Sequence, residues 1–322
     1  MTSSKIFVAG HKGMVGSAIL RKLKLFKDID IITADRQELN ILDSSEVENF
    51  FKKNSITEIY MAAAKVGGIH ANSNYPAEFI SENLNIQNNI IISAHNCNIK
   101  KLLFLGSSCI YPKDTNQPIS EESLLSGKLE ATNEPYAVAK IAGIKMCESF
   151  NRQYGHDYRS VMPTNLYGPN DNFHPTNSHV IPALMRRFHE AVITKKEKVI
   201  IWGSGKPMRE FLYVEDMASA CIYLMNLNQE KLHRLIPDQM CSHINIGTGM
   251  DITIHDLALL MAETVGFKGK LIFDDSKPDG IKRKVLNVSR LNSLGWKSAI
   301  GLEEGLKTTY KWFIDNQKTL RN

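Results

Sequence analysis

The sequence has few cysteines, and their arrangement excludes two common roles. The five cysteines are an odd number, and no two of them form a CxxC pair. Disulfide frameworks and structural zinc sites use such pairs, so we expect reduced thiols in a cytoplasmic protein. The ten histidines include no HExxH motif and no cluster with cysteine, so no metal is expected. Four of the cysteines lie in helical or strand patterns and are interpreted as core packing: Cys97, Cys147, Cys221 and Cys241.

Long apolar runs and a strong net charge are also missing. No stretch approaches the ~20 apolar residues of a membrane span, and a strand pattern begins so near Met1 that no signal peptide is expected. The net charge is +5, and no row of lysines and arginines alternates with aromatic residues. This balance suits an anionic small molecule and gives no reason to expect nucleic acid. The basic runs at 195–198 and 282–284 are interpreted as solvated surface.

The first half of the chain alternates short apolar runs with longer amphipathic ones. Near-continuous β-type runs, typical of strands buried on both faces, are KIFVAG, IDIITA, EIYMAAA, KLLFLG and YRSVMPTN. Helical patterns lie between them at 15–26, 44–53, 79–98 and 135–154. This alternation predicts an α/β fold with a doubly wound parallel (Rossmann) sheet, which binds ligands at the carboxyl ends of its strands.

The second half is less regular and predicts a smaller C-terminal α/β lobe. A polar, loop-rich segment follows Tyr167, and the segments FLYV and HINIG could return to the first sheet. We therefore predict a dinucleotide-binding domain at 1–166 with 212–248. The substrate-binding lobe is predicted at 167–211 with 249–322.

Three glycines follow the first strand and precede the first helix, in the segment VAGHKGMVGSAI. Gly10, Gly13 and Gly16 leave room for the backbone to approach a pyrophosphate, and the helix N-terminus supplies N–H groups to it. The residue after the second strand normally contacts the adenosine ribose, and an acid favours NAD whereas a cation favours NADP. The chain offers Asp35 beside Arg36, with Lys12 in the glycine loop. Two cations against one acid favour NADP.

The segment NEPYAVAKIAG places Tyr136 and Lys140 one helical turn apart. A free tyrosine has a pKa of about 10, and a neighbouring ammonium stabilises the phenolate and lowers that pKa. Ser107 follows the KLLFLG strand and could hydrogen-bond the substrate oxygen that Tyr136 protonates. The pattern predicts a reductase site.

Cys109 lies two residues beyond Ser107, so in an extended strand both side chains would face the substrate. A thiol with a pKa near 8.5 is a usable base for a carbon acid, particularly near cations. Reprotonation on the opposite face needs an acid. The segment HPTNSHVIP offers His174 and His179 for that role, and spacing alone leaves both open.

These residues resemble a known family, the extended short-chain dehydrogenase/reductases. Longer segments are similar to the GDP-L-fucose synthases, the 3,5-epimerase-4-reductases of GDP-4-keto-6-deoxy-D-mannose. The similarity runs essentially from end to end and includes TNEPYAVAKIAGIKMCESFNRQYG. It is highly specific in the segments around Cys109 and His179, LFLGSSCIYPK and PTNLYGPNDNFHPTNSHVIPALMRRFHEA. Asp35 departs from the family pattern, where this position is often neutral.

The resemblance implies two reactions on one nucleotide sugar. Cys109 would be the base and His179 the acid of a 3,5-epimerisation. NADPH would then reduce the 4-keto group, with Tyr136 as proton donor, Ser107 holding the oxygen and Lys140 binding the nicotinamide ribose. Dehydratases of the superfamily carry Thr-Asp-Glu where Cys109 lies, and 4-epimerases carry a threonine or a similar residue.

The resemblance also implies the binding residues. The implied cofactor contacts are Gly10, His11, Lys12, Gly13, Met14, Val15, Gly16, Arg36, Leu39, Asn40, Ile41, Leu105, Gly106, Ser107, Ser108, Tyr136, Lys140, Pro163, Thr164, Asn165, Leu166 and His179. The implied substrate contacts are Arg187, Trp202, Arg209 and Asp279. Members of the family are homodimers that pair two long helices of each subunit, which here are 79–98 and 135–154.

Two other functions stay open on the residues alone. The first is another extended short-chain nucleotide-sugar 4-epimerase or dehydratase, which would hold NAD tightly and regenerate it in each cycle. The second is a non-catalytic NADP-binding sensor, which has no use for Ser107, Tyr136 and Lys140 together.

Overall fold

A computed structural model describes residues 4–175, 178–277 and 279–320. The strands are β1 Ser4–Ala9, β2 Ile29–Ile32, β3 Glu58–Met61, β4 Lys101–Leu105, β5 Asp157–Pro163, β6 Asn165–Tyr167, β7 Lys198–Trp202, β8 Met208–Tyr213, β9 Ile244–Ile246, β10 Asp251–Thr253, β11 Lys270–Asp274 and β12 Arg283–Lys284. The α-helices are α1 Met14–Leu23, α2 Ser44–Asn54, α3 Ile69–Asn74, α4 Pro76–Asn96, α5 Glu134–Tyr154, α6 Val180–Ile193, α7 Val214–Asn226, α8 Gln229–Leu235, α9 Ile254–Val265, α10 Ser289–Leu294 and α11 Leu302–Asp315. Short 3₁₀ turns span Ser108–Ile110, Glu121–Ser123 and Gln317–Thr319.

Six strands form one parallel sheet in the order β2-β1-β3-β4-β5-β9. The chain leaves β1 toward β2 and then returns to place β3 on the other side of β1, so the strand order reverses there. Such a reversal opens a crevice outside the carboxyl ends of the strands. The predicted parallel, doubly wound α/β fold is confirmed.

Both faces of this sheet are covered, which explains the continuous apolar runs of its strands. Phe7 and Phe104 face one core with α2, α4 and α5. Val8 and Leu103 face the other, which α1 and α7 cover. Cys147 and Cys221 are fully buried in these two cores, whereas Cys97 and Cys241 are partly exposed.

The remaining strands form two smaller sheets. The first has β8 at its centre, paired with β6, β10 and β12, and the second joins β7 to β11. The expectation that FLYV returns to the large sheet is therefore wrong for this strand, because β8 pairs with the short strands of the second lobe. HINIG does return, as β9 beside β5.

A third apolar core lies between α6, α9 and α11 and contains Phe188, Met261 and Phe313. The chain then crosses back, since Leu286 packs in one core of the large sheet and Leu291 and Trp296 pack in the other. None of the described helices combines the length and apolar character that crossing a membrane requires.

Candidate active site

Four loops that the sequence analysis singled out lie at the carboxyl edge of the parallel sheet. The segments 10–16, 36–41, 105–108 and 163–166 follow β1, β2, β4 and β5, respectively. Parallel strands point in one direction, so these four loops border the same crevice.

The glycine loop is built around a close backbone approach. Gly10 has φ +79°, in the left-handed region, and a Cβ on Gly16 would lie 2.2 Å from the Gly10 carbonyl oxygen. Gly13 precedes α1 without a side-chain cap, so the first N–H groups of that helix are available to an anion. The His11 Nδ1 atom is buried without a hydrogen-bond partner among the described residues. These features fit a bound pyrophosphate.

The acid after β2 is paired with the cation of the glycine loop. Lys12 Nζ lies 2.8 Å from Asp35 Oδ2, and the hydrogen bond from Lys12, followed by that from the Gln37 amide, lowers the pKa of Asp35. Arg36 is exposed and has no carboxylate within ion-pair distance in the described part of the chain. The negative charge of Asp35 is therefore compensated, and the guanidinium of Arg36 is available to a phosphate.

Ser107 and Cys109 lie beyond the end of β4, in a 3₁₀ turn. The strand ends at Leu105, and the Ser107 hydroxyl accepts a hydrogen bond from the Cys109 amide at 3.5 Å, which caps the turn. The extended-strand geometry expected for these residues is therefore wrong. The turn still brings them together, because the Ser107 hydroxyl accepts from the Cys109 amide and the Ser107 side chain also lowers the pKa of the Cys109 thiol.

Tyr136 and Lys140 lie on the first turns of α5, opposite that 3₁₀ turn. The Lys140 Nζ atom donates to the Leu105 carbonyl oxygen at 2.8 Å and lies 5.8 Å from the centroid of the Tyr136 ring. Phe79 packs edge-on against the Tyr136 ring at 6.2 Å. The Ser107 side chain is near enough to the Tyr136 phenol to lower its pKa.

Burial dominates the acid–base properties of this pair. Desolvation, and then the nearby Cys109, raises the pKa of Tyr136 well above its usual value. Desolvation also lowers the pKa of Lys140 to about 8. The lowering of the tyrosine pKa expected from the Tyr136–Lys140 spacing is therefore not found. At neutral pH the phenol keeps its proton and can donate it.

The Cys109 thiol is buried, and the polar side chains of Ser107, Lys140 and Lys284 are near enough to affect its pKa. Its side chain is 8% exposed, and burial raises its pKa. Lys284, Ser107 and Lys140 oppose that effect, in this order. The thiol also borders a cavity shared with Tyr111 and Asn133.

His179 is the residue before α6. The residue is exposed, yet desolvation lowers the pKa of its imidazole. Residues 176 and 177, which precede it, lie outside the described part of the chain. The contact of His179 with Cys109 and Tyr136 stays a prediction. His174, the other candidate, donates its amide to Asn172.

The four predicted substrate residues lie in the second lobe, around the ends of β7 and β8. The Arg187 guanidinium lies 5.9 Å from the centroid of the Trp202 ring, which is 66% exposed. Asp279 accepts hydrogen bonds from the Ser204 amide and hydroxyl at 2.9 and 2.6 Å. Arg209 donates to the carbonyl oxygens of Met208 and Ile281.

Lys284 is the residue of this site that the sequence analysis missed. It lies in the basic run 282–284, interpreted as solvated surface, and that interpretation holds for the exposed Lys282 and Arg283 only. Lys284 is partly buried and borders the cavity of Cys109. Only Arg283 and Lys284 form a strand, which is too short to give a periodic signal in the sequence.

A parallel sheet with a glycine-rich loop and a Ser-Tyr-Lys group at its carboxyl edge defines an extended short-chain dehydrogenase/reductase. The family model described as the NAD dependent epimerase/dehydratase family matches residues 6–247, and the chain belongs to that family.

Comparison with individual proteins gives the group within the family. The chain is 59% identical over 322 residues to the GDP-L-fucose synthase of Escherichia coli (strain K12), and the match covers 100% of both chains. A GDP-D-glycero-L-gluco-heptose synthase from Campylobacter jejuni, solved in the presence of NADPH, is 37% identical with a TM-score of 0.90 and covers 98% of this chain and 99% of its own. A GDP-L-fucose synthetase from Naegleria fowleri bound to NADP is 27% identical with a TM-score of 0.88, and the match covers 100% of this chain and 97% of that one. The predicted family, the GDP-L-fucose synthases, and the predicted enzyme class are confirmed.

Proposed function

We propose that this enzyme converts GDP-4-keto-6-deoxy-D-mannose to GDP-L-fucose with NADPH. The observation that carries the proposal is that Ser107, whose hydroxyl accepts a hydrogen bond from the Cys109 amide at 3.5 Å, lies near both the Cys109 thiol and the Tyr136 phenol and opposes the rise in pKa that burial causes in each. A base that deprotonates the carbons beside a ketone and an acid that protonates the ketone oxygen then act on the same substrate. The E. coli and Naegleria relatives carry the name of this activity.

The cofactor site is suited to NADP. The glycine loop would hold the pyrophosphate, and Arg36 would contact the 2′-phosphate because Lys12 already neutralises Asp35. The predicted cofactor agrees with the relatives solved with NADPH and NADP. When bound, NADPH supplies the hydride for the carbonyl carbon.

Epimerisation is assigned to Cys109 and His179. The Cys109 thiolate takes a proton from a carbon next to the keto group, and the resulting enolate carries its charge on the keto oxygen. The His179 imidazolium then gives a proton to the opposite face of that carbon, and exchange with solvent resets both groups. The lowered pKa of His179 makes its imidazolium a stronger acid, although a smaller fraction is protonated at neutral pH.

Reduction is assigned to Tyr136, assisted by Ser107 and Lys140. The phenol proton passes to the keto oxygen as the carbonyl carbon is reduced, and Ser107 holds that oxygen by a hydrogen bond. Lys140 orients the site through the Leu105 carbonyl and would contact the nicotinamide ribose. Arg187 and Arg209 are suited to the diphosphate or the sugar of the substrate, and Trp202 and Asp279 would be further substrate contacts.

The test is incubation of the pure enzyme with GDP-4-keto-6-deoxy-D-mannose and NADPH in deuterated water, followed by NMR of the product. We expect GDP-L-fucose with deuterium at C3 and C5 and one NADPH consumed for each product. Cys109→Ser should bind NADPH normally and lose most of the exchange. A tightly held NAD with no net consumption would instead indicate a 4-epimerase.

Tyr136→Phe separates the reduction from the epimerisation. It should lower the rate of NADPH oxidation by about 10²–10⁴-fold, the usual contribution of a general acid, and leave deuterium exchange in place. Undiminished reduction in this variant would contradict the role of Tyr136 as proton donor.

A homodimer through α4 and α5 is part of the proposal. The two helices pack along each other, and Gln87 of α4 donates to the Ala139 carbonyl oxygen of α5 at 2.8 Å. Ile92 on α4 and Val138 on α5 remain exposed. A cytoplasmic location remains a prediction from the sequence.

A further inference from the structure

Lys284 is a cation without an acidic partner beside the Cys109 thiol. It ends β12, which pairs with β8 in a register that places Lys284 opposite Arg209. Lys284 is partly buried, and within the described ranges no carboxylate lies within 4.0 Å of its ammonium. The cavity that Lys284 borders is the one that the Cys109 side chain borders.

The other cations around this cavity are already engaged. Lys113 lies 3.4 Å from a carboxylate oxygen of Glu130, and Arg283 forms an ion pair with Asp251. Lys140 and Arg209 are not among the described residues that line this cavity, and they donate to the Leu105 carbonyl and to two backbone carbonyls, respectively. Among the described residues that line this cavity, Lys284 is thus the cation that can balance a negative charge formed during the reaction.

The titratable groups around the thiol and the ammonium come from several elements. The thiol interacts electrostatically with Lys284 from β12 and with Tyr136 and Lys140 from α5. The ammonium of Lys284 interacts electrostatically with Cys109 and, from β8, with Arg209. The same cavity is also lined by Tyr111, Lys113, Glu130 and Arg283. Arg209 repels Lys284, whereas a thiolate at Cys109 would attract it.

We propose that the Lys284 ammonium is the counter-ion of the Cys109 thiolate and stabilises the thiolate that abstracts the proton. The proposal depends on the function above, in which Cys109 is the base of the epimerisation. Lys284 acts through Cys109 and is therefore a positioning residue. When the thiolate takes a proton from the substrate, the negative charge moves to the keto oxygen, and Lys284 remains in the same cavity as a cation.

The electrostatic direction agrees with the geometry. Burial raises the pKa of Cys109, and the largest opposing effect comes from Lys284. Burial also lowers the pKa of Lys284, and Cys109 opposes that change. Loss of the ammonium should therefore raise the pKa of the thiol and reduce the thiolate fraction at neutral pH.

The experiment compares Lys284→Met with Lys284→Arg, which keeps the charge, and with Lys282→Met, which removes an exposed cation two residues away. The alkylation rate of Cys109 by iodoacetamide is measured by mass spectrometry from pH 6 to 10, and deuterium exchange into the substrate is measured over the same range. We expect the apparent pKa of Cys109 to rise by about one unit or more in Lys284→Met, the usual effect of losing a nearby opposite charge. The alkylation and exchange rates at pH 7 then fall about tenfold and recover as the pH is raised.

Each outcome separates this inference from the proposed function. Lys284→Arg and Lys282→Met should follow the wild-type pH profiles, and NADPH fluorescence titration verifies that all variants fold. An unshifted alkylation profile in Lys284→Met, with exchange lowered only through a higher KM, would make Lys284 a substrate contact and overturn the inference. If Cys109→Ser itself retains normal exchange, the assignment of the base fails, whatever the alkylation profile of Lys284→Met.

Discussion

Lys140 is a buried ammonium, and at neutral pH its burial opposes folding. Desolvation lowers its pKa from 10.5 to about 8. Between these two values the unfolded chain binds a proton that the folded chain does not bind. The contribution of Lys140 to the free energy of unfolding is therefore unfavourable below pH 8 and improves as the pH rises toward 10.5.

Lys140→Met should remove this pH dependence. We expect the variant to be more stable than the wild type at pH 7, because an apolar side chain avoids the desolvation of the charge. The difference should shrink by about 3 kcal/mol between pH 7 and pH 10.5, at 1.36 kcal/mol per unit of pKa shift. Urea denaturation of both proteins at four pH values between 7 and 10.5 measures this difference in the free energy of unfolding. A difference that stays constant with pH would contradict the lowered pKa of Lys140.

At the scale of single residues, spacing predicted partners better than it predicted charge states. The Tyr136–Lys140 spacing and the position of Ser107 after a strand follow from local periodicity, and the structure brings these residues together. The pKa of Tyr136 depends on how deeply the finished fold buries the phenol, which is not a local property. Lys284 was missed for the same reason, since its strand pairs with β8, whose residues lie about 75 positions earlier in the chain.

At the scale of elements, the β1–loop–α1 unit depends on the absence of a side chain at Gly16. A Cβ there would lie 2.2 Å from the Gly10 carbonyl oxygen, so α1 would have to move away from the loop. We expect Gly16→Ala to weaken NADPH binding at least tenfold, as measured by fluorescence titration. Gly301→Ala is the matched control, because its Cβ meets nothing within 4 Å. Equal affinities of the two variants would contradict a pyrophosphate site in this loop.

Glu210 joins two separate segments of the chain to β8. Its buried carboxylate accepts hydrogen bonds from the amides of Thr248, Gly249 and Leu286 at 2.6 to 2.8 Å. The Leu286 amide lies two residues beyond Lys284, so this carboxylate also fixes the end of β12.

Glu210→Gln should therefore destabilise the chain. The amide group of glutamine turns a donor toward amides that need an acceptor, and hydrogen bonds to charged groups contribute about 1.5–3 kcal/mol each. We expect a loss of about 3 kcal/mol in the free energy of unfolding by urea denaturation. Glu263→Gln, at an exposed position on α9, is the control and should change stability little. Equal free energies of unfolding of the two variants would contradict the structural role of Glu210.

The elements that the sequence predicted are those with a strong local signal. The five strands of the first half and their helices were predicted because burial on both faces leaves a continuous apolar run. The turn at Ser108–Ile110 and the pairing of β8 were not, since the first is capped by one serine and the second is fixed by distant short strands.

At the scale of the whole molecule, the return of residues 285–296 to the large sheet joins the two lobes. Leu286, Leu291 and Trp296 pack against the cores of the parallel sheet, whereas β7, α6 and α11 enclose a core of their own. The predicted lobe boundaries at 166–167, 211–212 and 248–249 stay predictions. They assign residues 285–296 to the second lobe, although this segment packs against the large sheet. The crossing brings Lys284 to the end of β4.

The assembly provides the last prediction. If α4 and α5 form the interface of a homodimer, a charge placed on their exposed apolar side chains must be desolvated when two subunits meet. Ile92→Asp on α4, at a side chain that is 44% exposed, should convert the dimer to a monomer without unfolding the subunit. Ile314→Asp on α11, at a side chain that is 46% exposed, is the matched control and should remain dimeric. Light scattering after size-exclusion chromatography gives the mass of each. A dimeric Ile92→Asp variant would exclude this pairing of helices. Because α5 carries Tyr136 and Lys140, the activity of the monomer would also show whether the second subunit supports the site.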